Sequence, residues 1–391
     1  MGRVMTKRNS NSKTFSVPEI GTLLGGITPR QFFQEYWQKK PLLVRQAVPN
    51  LDRILDARGL KELACQEAAE SRLVRPVRGN WQRELGPFEP ERLERLPKRN
   101  WSLLVSGVNM LLPAGDALLN AFNFAPYARL DDLMVSLAPT GGGVGPHFDS
   151  YDVFLIQGLG QRRWEISGQD DLELVDNCAL RILKRFRVDQ SWELEPGDML
   201  YLPPKYAHNG VALSDDCMTW SIGFRAPSAQ EMATEFLVYL QDSVCMDGLY
   251  ADPDLTYSKQ AGRIPSIMID RLKDMIRAIR WTDRDMEDFI GRYLSDPKPN
   301  VFFAPPHRPA GFARFHQRAC DRGLALDPRT RMLYHAGVFY MNGELLEAER
   351  GLHPQLRQLA DRRRLPPGTF DELFTSLLYE WYRAGYLGTG K

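Results

Sequence analysis

The run TPRQFFQEYWQKK at 28–40 repeats its apolar positions at helical spacing behind a threonine suited to cap a helix start, and predicts a helix. Residues 51–69 read the same way, and 114–122 as a shorter third helix. The period then changes. LMVSLAP (133–139), DVFLIQG (152–158), RRWEIS (162–167), DMLYLPP (198–204) and MTWSIGF (218–224) are short and rich in β-branched and aromatic residues. The clusters TGGGVGP (140–146), GLG (158–160) and EPGD (195–198) separate them as turns, so the middle predicts a sandwich or barrel and not βαβ units. Beyond RAPS (225–228) helical spacing returns over 229–245, 267–279 and 282–294, the last with Asp285 and Asp288 on its polar side. A Pro-rich stretch at 296–311 reads as a linker or crossing arm. The end of the chain predicts a hairpin over 331–346, turning at Asn342-Gly343, and helices near 353–363 and 370–386.

With 391 residues, 43% hydrophobic and 25% charged, the chain has the length of two or three globular domains and an ordinary composition. Lys plus Arg (50) balances Asp plus Glu (49), so a nucleic-acid or membrane partner would need a local patch rather than the global field. Five scattered cysteines without a CxxC pair argue against a disulfide framework or zinc knuckle and suit a reducing, cytoplasmic compartment. No apolar run approaches the roughly 18 residues of a membrane-spanning helix. MGRVMTKRNSNSKT (1–14) is basic and free of acids; without a sustained amphipathic pattern it reads as a disordered tail and not an organellar presequence.

The chemistry concentrates in GGGVGPHFDSYDVFLIQGLGQRRW (141–164) and ELEPGDMLYLPPKYAHNG (193–210). His147 and Asp149 are two apart, so an extended segment points both to one face. His208 follows a Pro-Gly turn and a strand, and arrives from elsewhere in a barrel. Two imidazoles and one carboxylate form a facial triad, the donor set that leaves adjacent positions open on iron(II). Arg162 shares an alternating face with Trp164 and Ile166, which puts a guanidinium inside and Arg163 outside; a buried cation calls for an anionic ligand. The four glycines at 141–145 precede a strand, so they read as the turn delivering His147 and not as a phosphate cradle. Asp131–Asp132 and Asp170–Asp171 read as solvated loops, and His307, His316, His335 and His353 as ordinary residues.

In combination, PHFDSYDVFLIQGLGQRRWEI, LEPGDMLYLPPKYAH and WSIGFRAP resemble the JmjC-type oxygenases, specifically the bacterial ribosomal oxygenases; FFQEYWQKKPLLVR (32–45), NWSLLVSGVN (100–109) and DDLMVSLAPTGGGVGPH (131–147) extend the match. The resemblance implies an α+β fold: a double-stranded β-helix, the cupin/JmjC jelly-roll barrel, with added helices over 15–228. A helical dimerisation region over 229–300 and a winged-helix-like domain over 301–391 would follow. It implies His147, Asp149 and His208 as both the iron(II) ligands and the catalytic centre, with Arg162 holding the distal carboxylate of 2-oxoglutarate and O2 as the second cosubstrate. Its implied reaction hydroxylates an arginine of large-subunit ribosomal protein sixteen, yielding succinate and CO2, in a homodimer. Eukaryotic relatives often use lysine where Arg162 stands, which favours the bacterial arginine-hydroxylase branch. One departure is Ala138, where relatives can place a hydroxyl; Ser136 or Thr140 are the candidates to compensate. Tyr151, Asp152 and Trp220 are candidates for contacting the substrate arginine.

Two other functions compete. A JmjC-type demethylase or nucleic-acid hydroxylase would use the basic clusters ARFHQRACDRG (313–323) and DRRR (361–364), although the neutral chain does not lead one to expect nucleic-acid binding as the main function. A non-catalytic cupin-like binding protein would keep the barrel, but degenerate barrels usually lose a ligand or the deep cation, and this chain has all four residues. Phe236, Leu237, Leu240 and Val244 form an apolar stripe suited to self-association.

Overall fold

The computed structural model describes residues 15–390, so the tail expected to be disordered at 1–14 lies outside the described residues. The chain divides between Ala226 and Pro227 into two compact units.

The strands of the first unit are, in chain order, β1 (Leu42–Val44), β2 (Glu70–Val77), β3 (Asn80–Leu85), β4 (Ser102–Ser106), β5 (Leu130–Ala138), β6 (His147–Phe148), β7 (Val153–Leu159), β8 (Arg162–Ser167), β9 (Gln190–Leu194), β10 (Met199–Leu202), β11 (Ala207–Ala212) and β12 (Cys217–Phe224). They build an eight-stranded sheet, ordered β1-β10-β7-β12-β5-β4-β2-β3, and a four-stranded sheet, β6-β11-β8-β9. Alternation divides each strand between two environments. On the large sheet, Val135, Leu137, Phe154, Ile156, Tyr201 and Trp220 pack outward into one core with Phe32 and Phe122 from the segments between strands. Their neighbours Val153, Leu155, Leu200 and Leu202 turn the other way and meet Trp164, Ile166 and Leu194 of the small sheet. The two sheets therefore face each other across a shared interior, the expected double-stranded β-helix.

The first predicted helix is shorter than its apolar pattern. It runs Pro29–Glu35, with Thr28 accepting from the Gln31 amide and the Gln31 side chain reaching back to the Thr28 backbone. Past it, Gln38 takes a left-handed conformation (φ 56°) and donates to Asp152 at 3.0 Å. The stretch 51–69 splits into a 3-10 turn, Leu51–Arg53, and a helix, Ala57–Ala64, restarted by Asp56 capping the Gly59 amide at 2.7 Å. The third helix is Pro113–Asn120.

Asp152 and Trp220, weighed above as substrate contacts, are structural residues. Trp220 lies fully buried in the outer core. Asp152 is also fully buried and accepts from Arg129 Nη2 (3.0 Å), Tyr201 Oη (2.6 Å) and Gln38 Nε2 (3.0 Å), stapling three segments together. Replacing it by alanine removes the shared acceptor of two neutral donors and of the partly exposed Arg129, which keeps the Arg225 carbonyl. Asp152→Ala is expected to destabilise the first unit by about 1–3 kcal/mol, the usual cost of leaving hydrogen-bond donors without their acceptor, read from urea unfolding followed by tryptophan fluorescence. A change below about 0.5 kcal/mol would contradict this role.

In the second unit the helices Ala229–Ser243, Ser266–Arg277 and Asp283–Ser295 follow their predicted spans closely, the first and third opened by the capping boxes Ser228/Glu231 and Thr282/Asp285. Asp288 departs from the expected polar face: it accepts from Tyr239 Oη (3.1 Å) and Arg292 Nε (2.9 Å), joining helix Asp283–Ser295 to helix Ala229–Ser243. The same helix also packs on the C-terminal strands, with Arg292 pairing Glu344 at 3.1 Å. The predicted hairpin is a three-stranded meander, Met332–His335, Val338–Met341 and Glu344–Leu346. Its turns Ala336-Gly337 and Asn342-Gly343 have φ of 48°, 85°, 53° and 86°, positive at both central residues as two-residue hairpins require. The stretch 296–311 is not a free linker: Phe303 packs on Tyr386 (4.6 Å), and Ala310 exchanges hydrogen bonds with Tyr379 and Tyr382 of the helix Glu372–Ala384. A helix, Phe312–Arg322, stands where the sequence showed only a basic cluster. Within DRRR, Arg363 donates to the Asp327 and Thr330 carbonyls, both at 2.8 Å, and so serves the fold.

Candidate metal centre

The Gly-rich segment works as a turn. Gly141 and Gly145 take φ of 81° and 77°, conformations that cost other residues energy, and a methyl group on Gly143 would sit 2.5 Å from the Gly210 carbonyl oxygen. The turn brings β6 alongside β11 with His147 directly opposite His208, their ring centres 4.2 Å apart. Asp149 follows, its Oδ2 3.7 Å from His208 Nε2. Donor atoms of the three residues all lie within 4.8 Å of one another, and no other His/Cys/Asp/Glu trio among the described residues converges in this way.

Hydrogen bonding fixes the tautomers. His147 Nδ1 faces the Gly145 carbonyl and His208 Nδ1 the Tyr206 carbonyl, both at 2.9 Å. A carbonyl can only accept, so each Nδ1 carries the proton and each neutral ring keeps its lone pair on Nε2, the arrangement that backbone carbonyls enforce on metal-binding histidines. Burial, then the neighbouring His147, pulls the His208 pKa down to about 4, against smaller opposing effects of Asp149 and the Tyr206 carbonyl. His208 is thus a neutral base at pH 7. It is 2% exposed, whereas His147 and Asp149 are half-buried, so the trio opens to one side.

Arg162, Trp164 and Ile166 all lie inside, and Arg163 outside, where it pairs with Glu165 at 3.2 Å. Arg162 is 4% exposed; its Nη1 donates to the Gly210 carbonyl at 3.2 Å, while Nε and Nη2 are buried without an acceptor. A buried guanidinium with two unmet donors fits a ligand carboxylate. With two lone-pair imidazoles and a carboxylate nearby, the donor set fits a divalent metal plus a dicarboxylic cosubstrate.

Of the two hydroxyls considered in place of one at Ala138, Thr140 is turned to the surface and donates to Asp215 at 2.9 Å. Ser136 is buried and shares the Ala138 face of β5. Of the three substrate-contact candidates, Tyr151 alone stands beside the trio, 40% exposed; the charge of Asp149, then burial, raises its pKa, so it keeps its proton. Gln157 and Thr219 went unremarked in the sequence. They are buried on the inner face and hydrogen-bonded to each other at 3.2 Å, and their signal was a polar residue recurring at an inward register of apolar strands. Asp171 behaves as a surface residue, paired with Arg185 at 2.6 Å. His316 and His353 are tied within the C-terminal module, to Thr375 (2.9 Å) and the Ala348 carbonyl (3.2 Å). No helix among the described residues is long and apolar enough to cross a membrane.

A jelly-roll barrel carrying a His-Asp-His cluster with a deep cation defines a JmjC-type cupin of the 2-oxoglutarate-dependent oxygenase class. Sequence comparison agrees: the JmjC domain family matches residues 117–232 and the ROXA-like winged helix family residues 278–388. The ribosomal protein uL16 3-hydroxylase of Escherichia coli is 33% identical over 365 residues, 91% of this chain and 96% of that protein. The X-ray structure of Escherichia coli YcfD superposes with a TM-score of 0.79 at 32% identity, covering 93% of this chain and 98% of the other. A structure of that ribosomal oxygenase in complex with cobalt and 2-oxoglutarate gives 0.77 at 31% identity with the same coverage. The chain belongs to the JmjC-domain ribosomal oxygenases, with a winged-helix module toward its C-terminus.

Proposed function

We propose that this protein is an iron(II)- and 2-oxoglutarate-dependent hydroxylase of an arginine side chain on large-subunit ribosomal protein sixteen. The observation that carries the reading is the orphaned, buried Arg162 guanidinium on the same barrel interior as the His147–Asp149–His208 trio. The similarity to the Escherichia coli uL16 3-hydroxylase supports the substrate protein. In this reading His147, Asp149 and His208 hold the metal, and Arg162 takes the distal carboxylate of the cosubstrate. Iron(II), 2-oxoglutarate and O2 supply the oxidising power to place one oxygen atom on an unactivated carbon, with succinate and CO2 as coproducts. The chain supplies position and electrostatics. The carbonyl-held imidazoles keep both Nε2 lone pairs aimed at one point, and the half-buried Asp149 brings a negative charge to it. Tyr151, a protonated phenol beside Asp149 and partly exposed, is the candidate contact for the incoming side chain. Purified protein incubated with iron(II), 2-oxoglutarate, O2 and the ribosomal protein should add the mass of one oxygen to an arginine-containing peptide. No gain, or a gain mapped to another residue type, refutes the arginine assignment.

Homodimerisation belongs to the same proposal, through residues that differ in part from the stripe expected above. Phe236 and Leu240 turn inward, Phe236 onto Phe289 at 5.2 Å, whereas Leu237 is 66% exposed beside an exposed Val238. Helix Ser266–Arg277 buries no residue in the single chain, and its Ile276 is 68% exposed. Exposed apolar surface of this kind is what a second copy would cover; sedimentation should give twice the chain mass, and a monomer at micromolar concentration would count against it. A ribosomal substrate would place the protein in the cytoplasm, where fractionation should find it.

A further inference from the structure

Between the metal trio and Arg162 lies Trp164, a member of the apolar cluster between the two sheets. Trp164 points into the barrel with its ring centre 5.8 Å from that of His208 and 5.7 Å from Arg162 Cζ. Directly opposite on β11 is Gly210. A methyl group at Gly210 would lie 2.6 Å from the six-membered ring, so the indole rests on bare backbone and a side chain at 210 would displace it. The Gly210 carbonyl also holds Arg162 Nη1, so indole and guanidinium are seated on one residue. Gly210 is two residues beyond His208, about 6.6 Å along the strand. A ligand gripped by the trio at one end and by Arg162 at the other must cross this stretch, over the indole. Trp164 Nε1 is itself buried without an acceptor, a third unmet donor beside Arg162 Nε and Nη2.

We propose that Trp164 gauges the chain length of the 2-oxo dicarboxylic acid this site accepts, its ring forming the floor under the methylenes and its N–H adding a donor to the cosubstrate. The inference rests on the proposed role of Arg162. A five-carbon diacid spans the floor; a six-carbon one must buckle into the space the indole fills.

The test is calorimetric binding of 2-oxoglutarate and 2-oxoadipate to the full chain loaded with cobalt(II), without turnover. Wild-type protein should prefer 2-oxoglutarate by about 30-fold or more, and Trp164→Leu, which lowers the floor, should bring the two within about threefold. Trp164→Phe keeps a flat ring and removes the N–H; 2-oxoglutarate should bind about tenfold more weakly while the preference persists. Cobalt(II) affinity should be unchanged in both variants. The inference is overturned if Trp164→Leu keeps the wild-type preference, or, should that variant not fold, if Trp164→Phe binds 2-oxoglutarate as wild type does. Wild-type protein that binds metal but no 2-oxoglutarate would instead sink the proposed function, so the two failures are distinguishable.

Discussion

His208→Ala should leave a folded protein that no longer retains its metal and converts no 2-oxoglutarate. The expected loss is to background, at least about 10³-fold in turnover or ~4 kcal/mol of transition-state stabilisation. Three features make the effect large. The ring is the most deeply buried of the trio and directly faces His147, so in the proposed site it would be the innermost ligand. Its Nδ1 proton is committed to the Tyr206 carbonyl, which leaves Nε2 with no task inside the protein other than facing Asp149 and His147. Its neutrality at pH 7 means that no proton competes with a metal there. The variant should still fold, since the side chain makes one hydrogen bond, to that carbonyl, and Ala207 and Gly210 keep the β11 ladder in place. Cobalt(II) titration followed by visible absorption, alongside succinate release with iron(II), reads both halves. Full turnover in a folded variant would remove the triad from the mechanism.

The barrel was legible where strand alternation met apolar packing on both faces. β5, β7, β8, β10 and β12 are rich in Val, Ile, Leu, Phe and Trp, and each lies where its pattern put it. β11 was not legible, although it carries His208: AHNGVA mixes Ala, Asn and Gly, residues with weak strand preference, and Gly210 must leave room for the Trp164 ring. β9 and β2 escaped notice for a related reason, one as a polar edge strand and the other because charged residues and Pro76 interrupt its alternation. The convergence of His147, Asp149 and His208 could be anticipated without a strand assignment, since the two-residue spacing and the His after a Pro-Gly turn are visible in any frame. Substrate contacts were harder. Asp152 sits one position before β7 and three after Asp149, and nothing in that spacing tells that it faces Arg129 and Tyr201 instead of the cavity. Partners more than twenty residues away decide it. Leu237 and Leu240 show the same limit, since one apolar stripe was divided between an internal contact and an exposed face by a helix roughly fifty residues on.

Arg162→Met is expected to separate binding from stability. In most buried ion pairs, removing one partner costs stability because a charge is left behind. Here the described residues provide no anionic partner: Nη1 meets a neutral carbonyl, Nε and Nη2 are without an acceptor, and the Trp164 ring lies 5.7 Å from Cζ. The ligand-free protein therefore bears the desolvation of a guanidinium without a compensating charge, and an apolar chain of similar length should be neutral or stabilising by about 1–4 kcal/mol. Binding should move the other way. Truncating one member of a desolvated, hydrogen-bonded charge pair costs about 2–5 kcal/mol, so the dissociation constant for 2-oxoglutarate should rise about 100-fold or more while cobalt(II) still binds. Thermal unfolding with and without 2-oxoglutarate shows both effects at once. The variant should melt at or above the wild-type temperature without ligand and should lose the upward shift that saturating cosubstrate gives the wild type. A structural arginine would behave oppositely, lowering the melting temperature and leaving the ligand-induced shift in place. That outcome would mean the buried cation serves the barrel and not the cosubstrate.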